Sequence, residues 1–91
     1  MSIRRGSTLV SNELDLHALT VDEALLKLDQ FLNDAFVAGF YQVRIVHGKG
    51  TGTLRQAVAE YLNKHRLVRA YRSGWSGEGG AGVTIVEMAP K

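Results

Sequence analysis

The chain has 91 residues, 45% of them apolar and none of them cysteine, and carries a formal net charge of +2. That length suits one domain with one core and is too short for two. The missing cysteines exclude a disulfide-stapled scaffold and a thiolate zinc site, and no stretch approaches the roughly 20 apolar residues of a membrane span. Arg4 and Arg5 have no apolar segment behind them, so the first residues do not read as a signal peptide. The expected setting is cytoplasmic, with no membrane partner.

Charge is spread unevenly. From Glu13 to Asp34 six acids accompany one lysine, and from Gln42 to Arg72 seven bases accompany one acid. A basic half beside an acidic half suggests one face built for a polyanion. The alternative is a solvated surface with dispersed charges.

Residues 1–12 are polar and without periodicity and read as a flexible tail; residues 13–89 form the domain. Glu13 to His17 alternates, with Leu14 and Leu16 facing one way and Glu13, Asp15 and His17 the other, as in a short half-buried strand. Thr20-Val21-Asp22-Glu23 has the spacing of a capping box. Apolar residues then recur at helical spacing to Phe36, and Gly39 fits the left-handed position after the helix. Tyr41 to Val46 is a second strand that leads into His47-Gly48-Lys49-Gly50-Thr51-Gly52. A second helix starts near Thr53, with Leu54, Ala57, Val58, Tyr61 and Leu62 on one stripe, and ends near Lys64 or His65. Leu67 to Arg72 is a third strand, Ser73 to Gly82 a glycine-rich loop around Trp75, and Val83 to Met88 a fourth strand. The order β-α-β-α-β-β favours an α/β two-layer sandwich: a four-stranded mixed sheet with both helices on one face and the other face partly open.

The loop from His47 to Gly52 lies between a strand end and a helix start. Alternate glycines allow positive φ and close approach of a ligand to the backbone. The following helix offers free N–H groups and its positive dipole end. Lys49 and Arg55 add cations, and together these features suit a phosphate. The spacing is neither that of a Walker A loop nor that of a dinucleotide-binding fingerprint. Asp15 and His17, two apart on a strand, could share proton transfer at a phosphodiester or bind one divalent metal, magnesium or manganese. On spacing alone, a surface Asp and His on the uncovered sheet face is the favoured reading. His47 ends the neighbouring strand and could join them. His65 reads as a surface or helix-dipole residue. Trp75 is either an anchor for its loop or a stacking platform for a base. Lys49, Arg55, Arg69 and Arg72 are the expected phosphate contacts.

Leu14-Asp15-Leu16-His17, His47-Gly48-Lys49-Gly50-Thr51-Gly52 with Leu54-Arg55, and Gly79-Gly80-Ala81-Gly82-Val83-Thr84 resemble the three signatures of the Smr (small MutS-related) domain. Their details most resemble the Smr domain at the C-terminus of bacterial MutS-like proteins of the second type. The resemblance covers about Glu13 to Met88. It implies a two-layer sandwich similar to the C-terminal domain of translation initiation factor three. It also implies binding of DNA or RNA, ribosome-bound RNA among the candidates, and DNA-nicking or RNA-cleaving endonuclease activity in many members. On this resemblance Asp15 and His17 are candidates for catalysis, and His47, Lys49 and Gly50 match the His-Gly-x-Gly motif. Gly52, Gly80 and Gly82 fall in the glycine signatures expected at the nucleic acid. Ala18 stands where the family usually has glycine, so the turn after His17 is expected to differ slightly. Many relatives carry arginine where this chain has His17, and the histidine favours the catalytic version. The isolated domain is expected to be a monomer. The alternative function is a non-catalytic DNA- or RNA-binding module that recruits a larger repair or ribosome-associated protein.

Overall fold

A computed structural model describes residues 11–91. The expected tail therefore falls largely outside the described residues. At its end, the carbonyl of Asn12 already accepts from Arg44 N at 2.8 Å, one residue ahead of the expected domain start.

Strand β1 (Glu13–Asp15) is followed by helix α1 (Val21–Ala38), β2 (Gln42–Val46), α2 (Thr53–Lys64), β3 (Val68–Ser73), two short 3-10 turns at 76–78 and 80–82, and β4 (Val83–Met88). The β1 strand is shorter than the alternation suggested, because Leu16 to Leu19 turns back on itself: Leu19 N donates to Leu16 O at 3.2 Å. The β3 strand runs one residue later at each end than expected. Helix α1 begins where the sequence placed it. Glu23 N donates to Thr20 Oγ1 at 3.2 Å and Thr20 N to Glu23 Oε1 at 3.0 Å, and Gly39 closes the helix at φ +84°.

The sheet order is β1-β2-β4-β3, with β1 and β2 parallel and the other pairs antiparallel. Leu28 and Leu32 of α1, Val58 and Leu62 of α2, and Val43, Ile45, Val86 and Met88 of the sheet belong to one buried cluster. Both helices therefore cover the same face. On the opposite face, Glu13, Arg44, Ile85 and Arg72 stand in one row across all four strands. Ile85 is nevertheless 5% exposed. The segment after β3 folds over it: Arg44 Nε donates to Glu78 O, and Arg72 grips the Glu78 carboxylate at 2.7 and 3.0 Å.

This topology decides where chemistry can sit. The C-terminal ends of β1, β2 and β3 and the N-terminal start of β4 all reach one rim, since Asp15 pairs with Val46, Val46 with Val83, and Thr84 with Ser73.

Candidate nucleic-acid interface and catalytic pair

Asp15 and His17 meet at this rim. Leu16 between them is fully buried and its N–H extends the β1–β2 ladder to Val46 O. Anchoring Leu16 inward leaves both neighbours exposed. His17 Nδ1 lies 2.6 Å from Asp15 Oδ1, which also accepts from the His17 backbone N–H at 3.0 Å. A carboxylate can only accept, so Nδ1 carries the proton and donates. The side-chain bond from His17, then the backbone bond, hold the Asp15 carboxyl below the usual carboxylate range. His17 Nε2 is left as the free nitrogen of an imidazole fixed by a carboxylate. Ala18 takes φ +67°, so the turn keeps the left-handed conformation that glycine would adopt there.

The glycine loop lies alongside. A methyl group built on Gly48 would sit 3.6 Å from His17 Cβ. The N–H groups of His47 and Gly48 both donate to Gly82 O, at 3.1 and 3.0 Å, which joins the two glycine signatures. Gly82 is buried, and a Cβ there would stand 3.5 Å from Lys49 Cγ. Gly80, at φ +60°, has open space around it.

His47 does not reach the Asp15–His17 pair. It is 4% exposed, with Nε2 at 2.8 Å from Thr84 Oγ1 and Nδ1 at 3.0 Å from Gly48 O. The carbonyl accepts from Nδ1–H, and the Thr84 hydroxyl serves Nε2. The Gly48–Lys49 peptide is trans. Turning its carbonyl toward the His47 ring therefore points the Lys49 N–H the opposite way. Among the described residues, the N–H groups of Lys49, Gly50 and Thr51 make no backbone hydrogen bond. Gly52, at φ +88°, starts α2 without a side-chain cap, and no acid lies in the first turn. Lys49 and Arg55 are exposed there and form no ion pair with the described residues. The result is a cationic cradle of backbone donors beside the His17 imidazole.

Two expected phosphate contacts are engaged elsewhere. Arg69 pairs with Glu87 at 3.2 Å. Arg72 holds Glu78 and stacks 3.9 Å from the Trp75 ring centroid. Trp75 is 68% exposed and its N–H donates to Glu78 Oε1 at 2.8 Å. Glu78, which the sequence reading passed over, thus organises the loop. Its carboxyl is pulled down to about 2, chiefly by the Arg72 hydrogen bonds and then by the Trp75 N–H. The acid three residues after Trp75 was the available signal.

His65 is not a surface residue. Its side chain is 10% exposed, Nε2 meets Asp29 Oδ1 at 3.0 Å, and Nδ1 accepts from Leu67 N at 3.1 Å. Tyr61 donates to the same Asp29 oxygen at 2.6 Å, and burial followed by that bond pushes its hydroxyl up to about 12.

The sequence pattern of the Smr domain family matches residues 14–89, which include the paired Asp15 and His17 and both glycine signatures. The chain belongs to the Smr domain family. Among relatives, this Smr domain is 47% identical over 87 residues to the endonuclease MutS2 of Brevibacillus brevis, covering 96% of the chain and 11% of that protein. It is 52% identical over 80 residues to the endonuclease MutS2 of Pelotomaculum thermopropionicum, covering 88% of the chain and 10% of that protein. The chain thus spans about a tenth of the length of these relatives. The crystal structure of the Smr domain of Thermus thermophilus MutS2 superposes with a TM-score of 0.84 at 49% identity, covering 86% of this chain and 98% of that one. YdaL, a stand-alone small MutS-related protein from Escherichia coli, matches with a TM-score of 0.80 at 29% identity, covering 85% of this chain and 63% of that one.

Proposed function

We propose that this Smr domain binds a DNA or RNA phosphodiester in the cradle of Lys49, Gly50, Thr51 and the α2 N-terminus and cleaves it with the Asp15–His17 pair. The observation that carries the reading is the 2.6 Å contact between Asp15 Oδ1 and His17 Nδ1 immediately beside Gly48. With Nδ1 committed, His17 Nε2 is free to take a proton from the attacking hydroxyl or water and to return it to the strand oxygen that leaves as its P–O bond breaks. Asp15 holds the imidazole in that tautomer and stabilises the cation formed. Lys49, Arg55 and the loop N–H groups meet the charge that builds on the phosphate oxygens. His47 acts at a distance: with Thr84 it orients the Gly48–Lys49 peptide, and is a positioning residue.

The donor set is poorly matched to a magnesium or manganese cage. Asp15 and His17 already satisfy one another, and no group of three or more His, Asp or Glu side chains suited to a metal forms among the described residues. The relatives' name, endonuclease MutS2, supports phosphodiester cleavage as the activity.

The domain is incubated with supercoiled plasmid and with single-stranded RNA, with magnesium or with a chelator, beside an Asp15→Ala/His17→Ala double variant. Nicking or strand cleavage that persists in chelator and disappears in the double variant is the expected result. Equal cleavage by both proteins overturns the assignment and leaves a binding module that recruits a larger protein.

A further inference from the structure

The glycine loop is a ridge with a cleft on each side. One cleft lies between the loop and the start of α1, lined by Ala18 to Val21 and by His47 to Arg55. The other, of about 450 Å³, lies between α2 and the edge strand β3. Both clefts share Thr51, Gly52, Thr53 and Arg55. A phosphate held on that shared segment has the His17 side to one hand and the α2–β3 groove to the other.

We propose that the α2–β3 groove takes the unpaired base of a nucleotide next to the phosphate in the cradle, which makes the domain selective for single-stranded over duplex nucleic acid. This rests on the phosphate reading of the cradle and adds to it a substrate class. Four features of the groove carry the inference. It is continuous with the cradle through Thr51 and Arg55. It contains no carboxylate, which suits a polyanionic strand. Its walls mix apolar surface from Ala59 and the half-buried Tyr71 ring with polar groups of Gln56 and Ser73. A nucleobase has the same mixture, an aromatic face with a donor and acceptor edge, and the Gln56 amide can both donate and accept along that edge. Gln56 is exposed, and its single side-chain bond, to Glu60 at 3.4 Å, is long enough to be given up. In a duplex the bases are stacked and paired, so only an unpaired one can enter such a groove.

Binding is read by fluorescence anisotropy on three end-labelled probes: a short single strand, its blunt duplex, and a backbone-only strand of abasic nucleotides of the same length. Ala59→Phe fills the groove without touching the cradle, and Gln56→Ala removes the polar wall at an exposed position where folding is not at stake. The wild-type domain is expected to bind the single strand about tenfold more tightly than the abasic strand, the range of one stacked base. Both substitutions should erode that preference and leave the duplex and abasic affinities unchanged. A preference that survives Gln56→Ala, or equal weakening on all three probes, overturns the groove as a base site. Lys49→Ala tests the underlying reading separately: it should weaken all three probes. If it weakens none, the cradle fails. If it weakens all while Gln56→Ala is silent, the cradle stands and only the groove is refuted.

Discussion

Ala18→Gly should make the domain more stable. Ala18 is held at φ +67° in the turn that carries His17 away from β1, and a residue with a Cβ pays about 1–2 kcal/mol in the left-handed region. Glycine removes that strain but gives the unfolded chain more freedom, a loss of about 0.4–1 kcal/mol. The difference leaves a net gain of about 0.5–1 kcal/mol. For a domain of this size such a gain raises Tm by about 2–8 °C. Thermal unfolding followed by circular dichroism, with urea unfolding as a second reading, measures it. Because the backbone already holds the conformation that glycine prefers, the Asp15–His17 contact should persist and activity should be unchanged. An Ala18→Gly protein that is equally or less stable than its parent would refute the claim that the turn is strained.

Thr84→Val leaves the buried His47 Nε2 without its 2.8 Å partner. It should cost about 1–3 kcal/mol in urea unfolding, and weaken nucleic-acid binding through the misplaced Lys49 N–H. Glu78 titrates near 2 when folded and at its ordinary 4.5 when unfolded. Its contribution to stability is therefore complete above about pH 4.5 and is lost as pH falls toward 2. Glu78→Gln should flatten the stability profile in that window and alter Trp75 fluorescence, and an unchanged acid profile would contradict the loop-clamp role. Removing Lys49 and Arg55 together should reduce the slope of log affinity against log salt on duplex DNA by about 0.9 for each lost phosphate contact. A slope equal to that of the parent would mean that neither side chain meets a phosphate.

Much of the architecture was legible because its signals are local. The Thr20–Glu23 box, the helical stripe through Leu28 and Leu32, and Gly39 fix α1 before any tertiary contact is known. Element order then limits the sheet to few arrangements, and two helices with one apolar stripe each favour a single covered face. What the sequence could not show depends on partners distant along the chain. His47 reads as a rim histidine, and only its pairing with Thr84, 37 residues away, turns it inward. Arg69 and Arg72 read as free cations until β3–β4 pairing and the folded-back loop bring Glu87 and Glu78 to them. His65 reads as a helix-end base until α1 presents Asp29. A cation's availability for phosphate is thus a property of the tertiary structure, and Lys49 and Arg55 retain it because the loop and the first turn of α2 contain no acid.

If His17 moves a proton while the glycine loop holds the phosphate, His17→Ala separates cleavage from binding. Cleavage rate and affinity are measured on the same labelled strand, beside Lys49→Ala. His17→Ala should lose cleavage and keep its affinity, whereas Lys49→Ala should weaken both. Undiminished cleavage by the His17→Ala protein, purified away from contaminating nuclease, would show that His17 moves no proton in the reaction.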